Sequence, residues 1–422
     1  VIKSDPDGIK NEDMYVASQF ERQISDGTKN AREKVEQICD LISRAGFAGS
    51  RGENSTWSNY ETEKGVYKLS DNSKFIYETL KKYGLKHINM LVWNNKLYMG
   101  DEAYAKYSQY TLPYTKTELD GWYNFVQHFI NDTKEYGDIY ELWNEPAAVQ
   151  FDNRTPKEPK AYAKLAEVTG KAIRDMNADV ICGGPSPAGI FEPENWHYKH
   201  MFEVFDLGYP KFLNQVVVHP YYGGRPEEQL SKPDNTFVKI RESYAKNGGV
   251  ENVRIYATES GTSYNHPTFW GNNSKEVGAT NIRFASLAKQ KGYLSNYCPY
   301  SIVQTGSVMN QNEASFGMLR FGMYDFSYYG KPFTAEAQYI ELAAYNYLMA
   351  MTEPAGIYDA DYNTRIQKFK SKKFNKEIAI LNAVEGVDQV TLDLGVNSIV
   401  RYDEYGNEET LHSDDGKYDL VV

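Results

Sequence analysis

The sequence predicts a (β/α)₈ barrel followed by a small C-terminal antiparallel β domain. Short apolar segments alternate with segments of helical periodicity along most of the chain. After about residue 352 the pattern changes to short strand-like runs broken by Gly, Asn and Asp. The 422 residues also suffice for one large domain and a smaller one. Alternating βα units over about 250 residues are typical of a closed barrel of parallel strands.

Each predicted strand is separated from the next by one predicted helix. The strands are assigned, in chain order, to 15–20, 47–52, 85–93, 139–143, 180–187, 214–222, 253–260 and 293–303. The helices are assigned to 29–46, 70–84, 119–137, 159–177, 195–208, 235–249, 279–292 and 334–351. These segments place a barrel domain at 12–351 and an accessory β-sandwich-like domain at 352–422, to which residues 1–11 could add strands.

A doubly wound parallel sheet is the alternative architecture. Its signature would be a glycine-rich loop that offers free backbone N–H groups to a dinucleotide. The glycine-rich segment GGPSPAG (183–189) instead carries prolines at those positions, and Ser186 does not lie in a G-x-S-x-G turn. The barrel is therefore the better interpretation.

The composition disfavours several classes of function. Lys and Arg total 46 against 57 Asp and Glu, a formal charge of −11, so the chain repels nucleic acid backbones. The three cysteines are far apart, and the seven histidines form no HExxH motif. We therefore expect no zinc site. We also find no apolar run of membrane-spanning length and no signal-peptide pattern, and the sequence does not indicate an oligomeric state.

The stretch IYELWNEP (139–146) indicates where a buried strand leaves its sheet. Pro146 cannot donate to a central ladder, so the strand ends just before it. Glu145 then projects from the C-terminal edge of the sheet, where parallel α/β proteins place their chemistry. The alternative is a surface turn that contains a carboxylate.

A second carboxylate follows another predicted strand. The segment VRIYATES (253–260) carries Glu259 at its C-terminal end, 259 − 145 = 114 residues after Glu145. Strands four and seven lie across the barrel mouth, so the two carboxylates could face each other. Glycoside hydrolysis needs such a pair, in which one group donates a proton and the other attacks or activates water. The alternative for Glu259 is a structural salt bridge.

Further polar residues end other strands at the same rim. Arg51 ends strand two, His219 and Tyr221 end strand six, and Asn144 adjoins the first carboxylate. An arginine and a tyrosine hydroxyl hold a neighbouring carboxylate ionised and oriented. Tyr, Phe and Trp together make up 14% of the chain, which weakly favours surfaces that stack on sugar rings.

The motifs WNEP, ATES and HPY resemble those of the retaining glycoside hydrolases of clan A. Family 39, which includes β-xylosidases, is the most similar. ETEKGVYKLSD (61–71), SFGMLR (315–320) and GKPFTAEAQY (330–339) resemble further segments of that family. The resemblance covers most of residues 12–350.

The resemblance implies a role for each matching residue. It assigns Glu145 as general acid/base and Glu259 as nucleophile. It assigns Asn144 to the hydroxyl next to the anomeric carbon, and Arg51, His219 and Tyr221 to the surroundings of the nucleophile. It also implies a covalent intermediate, with neither metal nor cofactor. Many clan members end strand eight with a tryptophan under the sugar. This chain offers Tyr297 or Tyr300 there, or Trp270 from the loop after strand seven.

The predicted function is thus a retaining β-glycosidase acting on a polysaccharide or its oligosaccharides. A xylan-directed exo-enzyme is favoured over an endo-acting β-glucanase or mannanase. A transglycosylase and a non-catalytic glycan-binding barrel are further alternatives. The segments 94–118 and 261–278 could form a wall at the mouth, which would suit exo attack. A secreted, cell-surface or periplasmic location is expected only because the substrate is a polymer.

Overall fold

The computed structural model describes residues 7–18, 20, 30–147, 159–263, 274–304, 316–320, 333–359 and 364–422. Its centre is a parallel sheet of seven strands, β1 to β7, each paired with the next in chain order. The strands are Asn11–Ala17, Phe47–Gly52, Lys86–Leu91, Ile139–Leu142, Ile181–Pro185, Gln215–Val218 and Ile255–Ala257. Their order around the sheet is the one that the alternating segments predict.

The segment 295–302 closes this sheet into a barrel. Ser295 donates its backbone N–H to the carbonyl of Ile255 at 2.9 Å, and Tyr297 donates to Asp13 at 2.7 Å. The segment thereby bonds to both β7 and β1, as the predicted eighth strand should. It makes isolated bridges rather than a regular strand, because Pro299 has no backbone N–H to offer. The barrel prediction is confirmed, with an irregular eighth strand.

Helices surround the barrel and follow the strands. In chain order, α1 to α12 are Ala31–Arg44, Trp57–Tyr60, Asp71–Lys82, Lys96–Met99, Asp101–Tyr107, Lys116–Thr133, Pro159–Asp175, Trp196–Asp206, Pro226–Leu230, Thr236–Lys246, Ser274–Gln290 and Ala337–Met349. A 3₁₀ turn spans Tyr209–Lys211. Helix α6 begins before the predicted residue 119, because Thr115 and Glu118 form a capping box that satisfies its first free N–H groups.

Apolar side chains form two layers. The barrel interior holds a small cluster that includes Tyr15, Ile88, Val217 and Cys298. A much larger cluster fills the shell between the strands and the helices. Side chains that alternate along a strand point alternately into these two layers. The layer to which a side chain belongs therefore shows which way it faces.

Antiparallel strands follow the barrel. A short ribbon pairs β8 (Leu319–Arg320) with β9 (Thr334–Ala335), and a three-stranded sheet contains β10 to β12, which are Thr352–Asp359, Thr364–Ser371 and Lys376–Ala383. Two ribbons pair β13 (Gln389–Asp393) with β16 (Lys417–Val421) and β14 (Ser398–Tyr402) with β15 (Glu408–His412). The predicted antiparallel C-terminal part is confirmed, while a domain boundary at residue 351 stays a prediction.

Ion pairs join this C-terminal part to the barrel. Arg283 of α11 donates to Glu227 of α9 from Nε at 2.7 Å and from Nη2 at 2.5 Å. Asn382 of β12 donates to the same carboxylate at 3.2 Å. Lys275 of α11 pairs with Glu404 at 2.7 Å. Because Glu227 and Arg283 are largely buried, this contact holds the C-terminal sheet against the loops that follow β6 and β7.

Glu341 is a buried carboxylate at the same junction. Its side chain lies on α12 against Gly278 of α11, where an added Cβ would come within 1.7 Å of Oε2. The residue is 1% exposed, and neither carboxylate oxygen has a hydrogen-bond partner among the residues that the structure describes. Burial raises the pKa of Glu341 to about 8; the Glu404 carboxylate adds to this rise and Lys275 opposes it. The group is therefore protonated at neutral pH.

Glu341→Gln is expected to flatten the loss of stability between about pH 4.5 and pH 8. Because the pKa of Glu341 in the folded protein exceeds its ordinary value of 4.5, its contribution to stability is complete below pH 4.5 and is lost as the pH rises to about 8. The wild-type unfolding constant should rise up to about tenfold per pH unit over this range, relative to the variant. Chemical denaturation between pH 4 and 9 measures both proteins. If the free energy of unfolding changed with pH in the same way in wild type and in the variant, the raised pKa of Glu341 would be contradicted.

Candidate active site

The polar residues predicted at the strand ends converge at the barrel mouth. Arg51 lies in β2, Asn144 and Glu145 follow β4, His219 and Tyr221 follow β6, and Glu259 follows β7. Arg51, Tyr221 and Glu259 are 6%, 9% and 8% exposed, and His219 is fully buried. A network of hydrogen bonds connects all six side chains, so the sequence prediction that they share one rim agrees with the geometry.

Both oxygens of Glu259 are held by neighbours. The Arg51 guanidinium forms an ion pair with Oε1, and the Tyr221 hydroxyl donates to Oε2 at 2.6 Å. Burial and the Glu259 carboxylate raise the pKa of Tyr221 well above its ordinary value, so this hydroxyl keeps its proton. Glu259 is thus fixed in orientation, and its charge is balanced by arginine.

Glu141 completes the site and was not identified from the sequence. It is fully buried within β4 and accepts two bonds from Arg51, from Nε to Oε2 and from Nη2 to Oε1, each 2.9 Å long. Oε1 also lies 3.0 Å from His219 Nε2. Burial raises its pKa, but Arg51 and His219 outweigh burial and hold the pKa well below its usual range. One signal was available, a charged residue between the buried strand residues Tyr140 and Leu142, because a buried charge requires partners.

His219 bridges two carboxylates. Its Nδ1 lies 3.0 Å from Glu145 Oε1, and its Nε2 lies 3.0 Å from Glu141 Oε1. Burial lowers the pKa of His219, but the Glu259 and Glu141 carboxylates outweigh burial and raise it to about 10. Both ring nitrogens therefore carry protons at neutral pH, and each donates to one glutamate.

The two candidate catalytic carboxylates are close together. An oxygen of Glu145, a ring nitrogen of His219 and an oxygen of Glu259 all lie within 4.8 Å of one another. Three such groups can in principle hold a cation. Here both Glu259 oxygens already accept bonds from Arg51 and Tyr221, and a doubly protonated imidazole offers no lone pair to a metal. The arrangement suits proton transfer and nucleophilic attack better than cation binding.

Asn144 is oriented by the same arginine. Its Oδ1 accepts a bond of 2.8 Å from Arg51 Nη2, so its NH₂ group is the part of the amide that can donate to a ligand. The side chain is half-buried beside Glu145. This geometry fits a contact with a hydroxyl close to the reacting carbon.

The predicted aromatic platform differs from the observed arrangement. Tyr297 lies in the outer shell rather than at the mouth: its hydroxyl donates to Asn281 at 2.7 Å, and its ring packs 5.7 Å from that of Phe284 on α11. Because Cys298 faces the barrel interior, its neighbour Tyr297 must face outward. Tyr300, the other tyrosine considered, lies 6.5 Å from the Tyr221 ring. Trp270 falls outside the described residues.

Glu141→Gln is expected to lower the free energy of unfolding by about 3–5 kcal/mol, because it leaves Arg51 and His219 buried with one carboxylate fewer. Glu135→Gln is the matched control, because Glu135 pairs with Lys81 at 2.7 Å on the surface, with its side chain 58% exposed. Such an exposed pair contributes little to stability. Urea unfolding of both variants measures the difference. Equal, small effects would show that Glu141 does not hold the network together.

The fold is shared with solved glycoside hydrolases. A family 39 glycoside hydrolase from Bacteroides cellulosilyticus WH2 matches with a TM-score of 0.77 and 18% identity, over 100% of this chain and 81% of that one. The catalytic domain of GH30 xylanase C from Talaromyces cellulolyticus matches with a TM-score of 0.63 and 12% identity, over 99% and 96%. A β-glucosidase from Exiguobacterium marinum matches with a TM-score of 0.51 and 11% identity, over 81% and 98%.

These matches confirm the resemblance to family 39 and clan A at the level of the fold. No family model matches the chain. None of the helices in the described part of the chain combines the length and the apolar character that a membrane crossing requires.

Proposed function

We propose that this protein is a retaining β-glycosidase, with Glu145 as general acid/base and Glu259 as nucleophile. The separation of the two carboxylates carries the proposal. Their nearest oxygens lie within 4.8 Å of each other. Retaining enzymes hold the two groups about 5–5.5 Å apart, whereas inverting enzymes need about 6.5–9.5 Å to admit a water molecule. The fold shared with glycoside hydrolases supports the same conclusion.

In the first step, an oxygen of Glu259 attacks the anomeric carbon from the face opposite the leaving group. The bond between carbon and leaving-group oxygen breaks as Glu145 delivers its proton to that oxygen. In the second step, a water molecule gives a proton to Glu145 and its oxygen attacks the same carbon. This attack releases the Glu259 carboxylate and restores the original configuration. Arg51 and Tyr221 stabilise the departing carboxylate through the bonds that hold it in the free protein.

His219 determines which oxygen of Glu145 carries the transferable proton. Its protonated Nδ1 donates to Oε1 of Glu145, so that oxygen serves as an acceptor. The proton of the neutral acid is then carried by Oε2. His219 is in turn held by Glu141 at 3.0 Å. Glu141 is therefore a positioning residue, because its buried carboxylate holds both Arg51 and His219.

The proposed substrate is a β-linked polysaccharide or its oligosaccharides. Xylan-directed exo attack is favoured because the sequence most resembles the β-xylosidase-containing family 39, and one structure of the same fold is described as a xylanase. An endo-acting β-glucanase or mannanase would use the same two glutamates. We also propose secretion or display at the cell surface, where such polymers are found.

The function is tested by products and by stereochemistry. Wild type is incubated with xylan, mannan, mixed-linkage glucan and a set of aryl β-glycosides, and the released sugars are separated by size. Release of monosaccharide from the start supports exo action, and a ladder of oligosaccharides supports endo action. Proton NMR of the first product should show the β-anomer before mutarotation. An initial α-anomer would overturn the retaining mechanism, and inactivity on every β-glycoside would overturn the proposed function.

A further inference from the structure

Trp196 is a large apolar side chain exposed at the barrel mouth. It is 49% exposed and is the first residue of α8, the helix that follows β5. A helix that follows a parallel strand begins at the C-terminal end of that strand. Trp196 therefore lies on the same rim as Glu145 and Glu259. Nothing in the proposed reaction so far uses it.

The first turn of α8 lies against the strand end that supports the acid. Tyr198, two residues after Trp196, donates its hydroxyl to the His219 carbonyl at 3.4 Å. In the loop before the helix, Phe191 donates its backbone N–H to the Tyr221 carbonyl at 2.7 Å. These contacts tie the β5 loop and the start of α8 to the residues that contact Glu145 and Glu259.

The ring of Trp196 rests on that of His197. Their centroids are 3.8 Å apart and their planes are inclined by 34°. His197 is 8% exposed, and its backbone N–H donates to the Asn195 side chain at 3.0 Å, which fixes the first turn of the helix. Burial and the neighbouring His200 and His219 lower the pKa of His197 to about 4. Trp196 thus lies on a rigid, uncharged support and leaves about half of its surface to solvent.

The position of Trp196 relative to Glu145 indicates which sugar of a glycoside the exposed indole would contact. Arg51 of β2 and Asn144, which follows β4, are bonded to each other at 2.8 Å, and the proposed mechanism assigns both to the sugar that is attacked. The departing sugar must lie next to Glu145, because that residue protonates its oxygen. Strand β5 pairs with β4 on the side away from β2, and Trp196 ends the loop that follows β5. This loop is therefore the neighbour of Glu145 on that side.

We propose that Trp196, supported by His197, is the platform of the leaving-group subsite and stacks on the pyranose ring of the departing sugar. The flat indole suits the apolar face of a pyranose, and a tryptophan side chain has few torsions whose entropy is lost on binding. This inference rests on the proposed glycosidase function. It assigns Trp196 to selection of the leaving group rather than of the sugar that is attacked.

The test compares two substrates with the same attacked sugar. One is a β-linked disaccharide, which fills the leaving-group subsite, and the other is the β-glycosyl fluoride, which leaves no ring there. In Trp196→Ala, the ratio of kcat/KM for the disaccharide to kcat/KM for the fluoride should fall roughly 10- to 100-fold. Trp196→Leu, which keeps apolar bulk without the flat face, should give a similar fall. Leu207→Ala, at the far end of the same helix and 42% exposed, should keep the wild-type ratio.

The outcomes distinguish a failure of the Trp196 platform from a failure of the proposed glycosidase function. An unchanged ratio in both Trp196 variants, or an equal loss on both substrates, would overturn the platform and leave the glycosidase assignment intact. Wild-type inactivity on the disaccharide and on the fluoride would overturn both proposals. Thermal unfolding of each variant shows whether it is folded, and Trp196→Tyr, which keeps a flat ring, should recover part of the ratio.

Discussion

Glu259→Ala is expected to reduce kcat on β-glycosides by at least about 10⁴-fold, because it removes the carboxylate that we propose forms the covalent intermediate. Both oxygens of Glu259 are held in the free protein, so the nucleophile is already oriented before substrate binds. Steady-state kinetics with an aryl β-glycoside and with an oligosaccharide measure the loss. Residual activity above about one per cent of wild type would remove Glu259 from the role of nucleophile.

A small anion provides a chemical control for this variant. Glu259→Ala leaves a space beside Arg51 and Tyr221, and the guanidinium favours entry of azide. Azide would attack the anomeric carbon of an activated aryl β-glycoside from the face that Glu259 occupied. The new carbon–nitrogen bond forms as the phenolate leaves, which gives an α-glycosyl azide. A β-glycosyl azide would show that attack came from the other face and that Glu259 was misassigned.

The sequence predicted which strand ends meet at the candidate active site because the fold itself brings the strand ends together. Once βα units alternate, the C-terminal ends of all the strands meet at one rim. Arg51, Glu145, His219 and Glu259 could therefore be placed together without any knowledge of their contacts. Their spacing along the chain carries no such information, since Arg51 and Glu259 are 208 residues apart.

The sequence analysis failed for Tyr297 and Glu141. At Tyr297, a shift of one residue along the strand decides whether the side chain faces the barrel interior or the helices. Tyr297 and Cys298 are adjacent, and only the pairing of their segment with β1 and β7 shows that the tyrosine faces the helices. Glu141 was overlooked because the strand was interpreted from its apolar residues. Its partners are distant in sequence: Arg51 lies on β2 and His219 follows β6.

The C-terminal strands show a similar limit on what sequence patterns reveal. Strand β10 contains Pro354 and Gly356 with an irregular register between them, and β15 has the largely polar sequence EETLH, which is mostly exposed. Neither segment shows the alternation that predicts a strand. Both are strands because of their neighbours, Thr364–Ser371 for β10 and Ser398–Tyr402 for β15.

Glu145→Ala is expected to lower kcat/KM about 10²- to 10⁴-fold on substrates with poor leaving groups, because their oxygen must be protonated as the bond breaks. Substrates with a highly activated phenolate leaving group need little protonation and should lose far less in this first step. A series of aryl β-glycosides of graded phenol acidity measures the difference as a steeper dependence on the leaving group than in wild type. Glu135→Ala, which removes an exposed surface carboxylate, should keep the wild-type dependence.

Hydrolysis of the covalent intermediate, the second step of the reaction, gives an independent test of Glu145. Without Glu145, water is not deprotonated and the covalent intermediate should accumulate on activated substrates. Azide needs no deprotonation, so it should release the sugar from Glu259 as a β-glycosyl azide, the opposite anomer to the product of Glu259→Ala. Equal loss on all leaving groups, together with no azide product, would show that Glu145 is not the acid/base. The proton donor would then have to be sought elsewhere at the mouth, starting with His219, which lies 3.7 Å from Glu259.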